Sequence, residues 1–328
     1  MLASMKGNTV VVTGASGYIG YELVNALVKQ SCKIIRVSRT DLAPLPNVIT
    51  IKADICNGDV WHEIVSQADI IYHLAGNTSV YEAARHPVLS LNSTLLPINH
   101  LIQAAQKQKR KPRVVFASTA TVYGLTSTLP VAETVKPNPI TVYDLHKLFA
   151  EEQLSLASQQ GLLDSVSLRL ANVYGPSRSK SSAVDRGILN RVTAMALQGK
   201  DLMIYGDGSY LRDYVYIDDV VRAFLAAGVN ENIAGGVFNV ATGKSISLRD
   251  AFKLVAVEAK NANGYKVNVK FSPWPDGASD IEFRNYISDV SSILDKLGWQ
   301  PIVSLESGIK FMVDAIGHSA SMFDNYKI

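Results

Sequence analysis

Cysteine is scarce: Cys32 and Cys56 are the only two in 328 residues. That excludes a disulfide framework, and neither stands at metal-ligand spacing, so no metal is expected. Their apolar surroundings mark them as reduced core thiols. Charge of one sign is scarce too, the net value of +3 being too small to argue for a nucleic-acid partner. The single dense basic run, KQKRKPR at 107–113, follows helix-like NHLIQAAQ and reads as a solvated helix end. No apolar stretch reaches the ~18 residues of a membrane span. MLASMKGN runs straight into TVVVTG, which leaves no room for a secretory signal. Repeats, low-complexity tracts and linkers are also missing. The expectation is a cytoplasmic protein with neither nucleic acid nor membrane as partner.

What is present suits an ordinary globular chain with a sizeable core, at 47% hydrophobic and 19% charged residues. TVVVTG (9–14), KIIRVSR (33–39), VITIKAD (48–54), ADIIYHLAG (68–76), VVFAS (114–118) and SVSLRLANVYG (165–175) read as strands. Helical patterns lie between most of them, beginning with YIGYELVNALVKQ (18–30). Buried strands alternating with helices predict an α/β fold with a Rossmann-type, doubly wound parallel sheet. The rhythm loosens after YGP (174–176), returns in VVRAFLAA and VFNVATG, then gives way to helix 248–259, strand 266–271 and a final helix. Two units are therefore expected. One is a dinucleotide-binding domain, 5–175 with returning segments about 213–243. The other is a smaller, interleaved C-terminal substrate lobe, 176–212 with 244–328.

Gly14, Gly17 and Gly20 form GASGYIG between the first strand and the first helix. Backbone amides at a helix N-terminus attract a pyrophosphate, and glycines let it approach closely. A glycine-rich turn serving only helix packing is the plain alternative. The second strand ends in Ser38-Arg39, with no carboxylate before Asp41. An acidic residue there would accept ribose hydroxyls, whereas an arginine suits a 2′-phosphate. NADP(H) is therefore favoured, with NAD(H) left open. Asp54, ending the third strand, is placed to meet the adenine amino group, and Leu74, Ala75 and Gly76 to pass under the nucleotide.

Ser118 and Thr119 fall at the C-terminal end of a parallel strand, where open α/β sheets place their active sites. Tyr143 and Lys147, in TVYDLHKLFAEE, are four apart and share a helix face. The ammonium would bring the phenol's pKa from ~10 toward working pH, as acid–base catalysis requires. The plain alternative is a packed tyrosine beside a solvated lysine. His146, about 100° round the helix from Lys147, is expected to face solvent or another subunit. Tyr123, Tyr174 and Tyr205 could line a substrate pocket or be core residues.

TGASGYIG, AD at 53–54, HLAG, Asn92 in LNSTLLPINHLIQAA, STATVYG, the Glu133-to-Lys147 run, RLANVYGP, GDGSYLRDYVYIDDV, FNVATG and LGWQP together resemble the extended short-chain dehydrogenase/reductase family, the NAD-dependent epimerase/dehydratase group. The resemblance covers nearly the whole chain. It implies a catalytic set of Thr119, Tyr143 and Lys147 acting on a nucleotide-diphosphate sugar. It implies cofactor contacts from Ser16, Tyr18, Ile19, Ile55, Asn92, Ser118 and Leu170 beside those named above. Substrate contacts would come from Thr78, Thr119, Asn172, Arg178, Tyr205, Arg212 and Arg284, with Asn172 and Arg212 on the diphosphate. Without it, Arg212-Asp213 would read as a local ion pair. A homodimer through the tyrosine-bearing helix and its neighbour is expected by analogy.

The family's 4,6-dehydratases carry an Asp–Glu pair after the threonine, and its decarboxylases a Glu. Here the residues are Ala120 and Thr121, which disfavours both reactions. Reduction of an NDP-4-keto-6-deoxyhexose by NADPH is the leading expectation, from Ser38-Arg39, Asp144, His146 and Arg284. A 4-epimerase with tightly bound NAD is the alternative. A non-catalytic dinucleotide sensor comes third, opposed by the presence of hydroxyl, tyrosine and lysine together.

Overall fold

The computed structural model describes residues 5–177 and 187–318. β1 (Thr9–Thr13) is wholly β-branched and buried after its first residue, as a strand covered on both faces requires. α1 (Tyr18–Leu27) leads to β2 (Lys33–Ser38) and β3 (Val48–Lys52), and α2 (Gly58–Gln67) to β4 (Ile70–His73). α3 (Val80–Arg85) and the long α4 (Pro87–Gln106) precede β5 (Arg113–Thr119). α5 (Val142–Gln159) connects β5 to β6 (Asp164–Leu170). The remainder runs β7 (Asn172–Tyr174), α6 (Ile188–Leu197), β8 (Leu202–Tyr205), β9 (Leu211–Arg212), β10 (Tyr214–Tyr216), α7 (Ile217–Val229) and β11 (Gly236–Val240). It ends β12 (Ile246–Ser247), α8 (Leu248–Asn263), β13 (Val269–Ser272), α9 (Ser291–Leu297) and α10 (Leu305–Gly317).

Seven strands form one parallel sheet in the order β11-β6-β5-β4-β1-β2-β3. The direction of winding reverses between β1 and β4, and that switch point opens a crevice at the strands' C-terminal ends. One face packs on α1 and α7 through Leu23, Leu27, Val220 and Phe224, and α9 adds Ile293 and Leu297 near β11. The other face packs on α2, α4 and α5 through Trp61, Ile98, Leu101 and Leu154. A separate core joins α6, α8 and α10 through Val192, Phe252, Val255 and Met312. Among the described residues no helix is long and apolar enough to cross a membrane.

The stretch expected as one strand over 165–175 is two. Ala171 still donates to Val240 O (3.0 Å), but Asn172 donates to Asp213 O (3.1 Å), so the chain leaves the main sheet there and β7 pairs with β10. Asp213, next to Arg212 in the sequence, is fully buried. It accepts from Thr242 N (2.8 Å), Thr242 Oγ1 (2.6 Å), Gly243 N (3.0 Å) and Ser288 N (3.3 Å), tying two loops to β10.

Candidate active site

The three glycines after β1 are needed for close approach. Gly14 has φ +69°, and a Cβ there would lie 2.7 Å from Ala75 N, so the β1 and β4 turns touch backbone to backbone. Gly17 caps α1 without any side-chain cap, and a Cβ on Gly20 would come within 2.2 Å of Gly14 O. The helix thus starts with uncapped first-turn amides directly over the switch point, a cradle suited to a dinucleotide's pyrophosphate. Tyr18 turns away from it and donates to Gly175 O (2.9 Å), while Ser16 and Ile19 are half-buried in the turn.

Ser38 is buried at the end of β2 and accepts from Thr40 N (3.1 Å); Arg39 is exposed. Asp41, the first carboxylate after β2, pairs with Lys52 at 2.7 Å instead of turning back to the crevice. Asp54 Oδ1 accepts from Cys56 N (2.9 Å), next to buried Ile55. Asn92 lies near this loop, its carbonyl 3.5 Å from Cys56 Sγ. Both cysteines are free and only half-buried, not the core thiols expected, and burial pushes Cys56 up to about 11.

Beyond the nucleotide turn, β5 and α5 bring the reactive groups together. Lys147 is buried and donates to Ala117 O (2.8 Å), with its ammonium 4.8 Å from the Phe116 ring centroid and 6.0 Å from that of Tyr143. Desolvation lowers its pKa to about 8, and Glu151 pulls the other way. A Cβ on Gly76 would lie 3.7 Å from Lys147 Nζ, which places the β4 turn over the lysine. Thr119 ends β5 opposite Leu170 in the register, and its Oγ1 is 2.8 Å from Thr121 Oγ1 and accepts from Thr121 N (3.2 Å). Ser118 donates to Glu151, so its hydroxyl points under the site and not into it.

On the substrate side, Arg212 and Arg284 are both buried to within 8%. Arg212 donates to the carbonyls of Glu282 (2.7 Å) and Arg284. Arg284 Nε and Nη1 have no hydrogen-bond partner among the described residues, and burial first, then the Arg212 charge, lower its pKa to about 10. Asn172 Nδ2 donates to Asp213 O (3.0 Å), Thr78 is exposed before α3, and Tyr205 is half exposed with its ring 5.8 Å from Trp274. Arg178 lies outside the described residues. Tyr123 and Tyr174 are core residues: their hydroxyls donate to Asn239 Oδ1 (2.8 Å) and Ser304 O (3.3 Å).

Three features escaped the sequence reading. His146 does not face solvent: it is buried, its Nδ1 is 2.9 Å from Ser90 Oγ of α4, and desolvation lowers its pKa. Asp144 is fully buried beside Tyr143. Glu151 and Arg169 form a buried ion pair beneath Ser118. The available signal was position, since Glu151 is at i+4 from Lys147 and hence on its face of α5.

Residues 10–241 match the profile of the NAD dependent epimerase/dehydratase family. The chain is 30% identical over 316 residues to a UDP-glucose 4-epimerase of Mycolicibacterium smegmatis, covering 93% of this chain and 97% of that one. It superposes on the Thermotoga maritima UDP-glucose 4-epimerase, solved with UDP-glucose, with TM-score 0.82 and 31% identity over 93% of this chain and 97% of that one. The Bacillus cereus UDP-glucuronic acid 4-epimerase, solved with UDP-glucuronic acid and NAD, gives TM-score 0.80 and 26% identity over 94% and 98%.

Proposed function

The chain belongs to the NAD-dependent epimerase/dehydratase family, within the extended short-chain dehydrogenases/reductases, and from that premise we propose that it is a nucleotide-sugar 4-epimerase working with bound NAD. The observation that carries the reading is the residue set at the end of β5. Thr119 ends that strand, the Lys147 ammonium is bonded to Ala117 O beside it with the Tyr143 ring centroid 6.0 Å away, and neither Ala120 nor Thr121 offers the carboxyl that dehydration or decarboxylation needs. The activities of the relatives favour epimerisation over the reduction expected from the sequence. Bound NAD would accept and return a hydride at C4. Tyr143 takes the proton of the C4 hydroxyl and later gives it back. Lys147 steadies the phenolate by its charge, and its bond to Ala117 O fixes where that charge sits. Thr119 holds the C4 oxygen. Arg212 and Arg284 offer planar donors suited to the diphosphate, and the half-exposed Tyr205 ring would stack on a nucleotide base. The 176–212 and 244–328 lobe supplies these groups, and the domain carrying Gly14 to Gly20 holds the cofactor.

One observation favours a second reading, NADPH-dependent reduction of a 4-keto sugar. β2 ends in Ser38 without a carboxylate for ribose hydroxyls, and the first carboxylate after it, Asp41, is paired with Lys52. The experiment separates the two. Purified protein, with no cofactor added, is given UDP-glucose, UDP-glucuronic acid, UDP-N-acetylglucosamine and dTDP-L-rhamnose in turn. The expected result is copurifying NAD and conversion of one of them to its C4 epimer, followed by NMR. Consumption of NADPH on a 4-keto-6-deoxy sugar nucleotide, with no epimer formed, would overturn the epimerase reading.

We further infer a homodimer. Val88, Leu89 and Leu91 of α4 and Leu145, Phe149 and Leu156 of α5 are exposed apolar residues on two helices packed side by side. Such a two-helix apolar face suits a second copy of itself. Phe149→Arg together with Leu89→Glu is expected to halve the mass measured by light scattering. An unchanged mass would sink the assignment of this face.

A further inference from the structure

We propose that Tyr81 is a positioning residue that keeps Arg212 open for the substrate's diphosphate by holding the Glu282 carboxylate away from it; the inference rests on the assignment of Arg212 to that diphosphate and not on what happens at C4.

Arg212 is buried, and most of its donors are already spent. Nη1 donates to the carbonyls of Leu211 (3.1 Å) and Arg284, and Nη2 to that of Glu282 (2.7 Å). A guanidinium has five N–H donors and accepts nothing, so among the described residues Nε–H and one Nη2–H are left for phosphate oxygens. A rival is at hand. Glu282 Oε2 stands 3.9 Å from Arg212 Nη2, too far for a hydrogen bond but near enough to close on it by turning its own side chain. A carboxylate seated there would occupy the last Nη2 donor, cancel the charge and set itself against the phosphates.

A glutamate beside a buried arginine ordinarily closes such a gap, because a charge-assisted bond is the stronger kind. Here it is held open. Glu282 Oε1 accepts from the Tyr81 hydroxyl (3.0 Å), 201 residues away in sequence. Tyr81 stands on α3, which follows the β4 turn whose Gly76 lies against Lys147. Glu282 belongs to the 3-10 turn Asp280–Phe283, whose carbonyl at Glu282 meets Arg212. The bond thus joins the segment over the lysine to the segment packed on the arginine, and it draws the carboxylate toward α3. A plain surface tie is the alternative, since both side chains are partly exposed. A tie uses one carboxylate oxygen and gives no reason for the other to stop short of Arg212.

The test is binding to the cofactor-loaded protein, read by calorimetry with UDP, dTDP and GDP in turn. The tightest of these is carried through Tyr81→Phe, Glu282→Ala and the double variant. Tyr81→Phe is expected to weaken Kd about tenfold, the scale of one hydrogen bond to a charged group, with Tm unchanged. In turnover KM should follow Kd while kcat stays within about twofold. Glu282→Ala should bind at least as tightly as wild type, and the double variant should regain wild-type affinity, because no carboxylate remains to close on Arg212. A tie that only braces the two segments predicts the reverse, with Glu282→Ala and the double variant losing as much as Tyr81→Phe. That pattern, or an unchanged Kd in Tyr81→Phe, overturns the inference. Calorimetry needs no turnover, so the outcome stands whether the wild type epimerises or reduces its sugar. A wild type that binds none of the three diphosphates takes the diphosphate from Arg212 and overturns the nucleotide-sugar reading together with the inference.

Discussion

Tyr143→Phe is expected to lower kcat by about a thousandfold, while NAD content, KM and Tm stay near the wild-type values. The phenol is half-exposed on the first turn of α5, so losing its oxygen leaves the core untouched. What disappears is the group proposed to move the C4 proton, one turn from the fixed ammonium of Lys147. Thr119 cannot substitute, because its hydroxyl is bonded to Thr121, and Lys147 cannot because its ammonium is turned to Ala117 O. Removing an interaction made only as the proton moves should lower kcat and kcat/KM alike. Kinetics of the purified variant, with spectroscopic measurement of bound cofactor, decide it. A variant within tenfold of wild type would remove Tyr143 from the proposed chemistry.

The parts of this site that could be read beforehand are those whose meaning lies in short spacings. Gly14, Gly17 and Gly20 announce a tight strand-to-helix turn because only glycine avoids the backbone of Ala75 and Gly14. Tyr143 and Lys147 fall on one helix face by the helical period alone. The parallel sheet is written in runs such as TVVVT, buried after its first residue, and RVVFAST, buried throughout. The missed features depend on partners far along the chain. His146 is buried because Ser90 of α4 meets it, and Asp213 serves loops at 242 and 288 instead of its neighbour Arg212. The break at Ala171 is invisible in SVSLRLANVYG, since it arises from a change of partner strand and not from a change of composition.

Glu151→Leu is expected to destabilise the protein by about 3–5 kcal/mol, the usual cost of leaving one member of a buried ion pair uncompensated. Glu151 and Arg169 are both nearly inaccessible. The carboxylate accepts from Arg169 Nε (3.1 and 3.2 Å) and Nη2 (2.7 Å), and from the Ser118 hydroxyl. It thereby clamps α5 to β5 and β6 directly beneath Thr119. The guanidinium also lies 4.8 Å from the Tyr123 ring centroid, so it has no route to solvent once Glu151 is gone. Adding Arg169→Met should restore most of the lost stability, because two apolar residues replace a costly pair of charges. Activity should not return with it. Glu151 raises the pKa of Lys147 against desolvation, so its removal moves that value below about 8 and empties the ammonium at lower pH. The alkaline limb of kcat is therefore expected to shift downward in the stable double variant. Denaturant melts and pH–rate profiles of the single and double variants measure both halves. A double variant with restored stability and an unmoved alkaline limb would show that Glu151 only clamps the strands and does not hold the charge on Lys147.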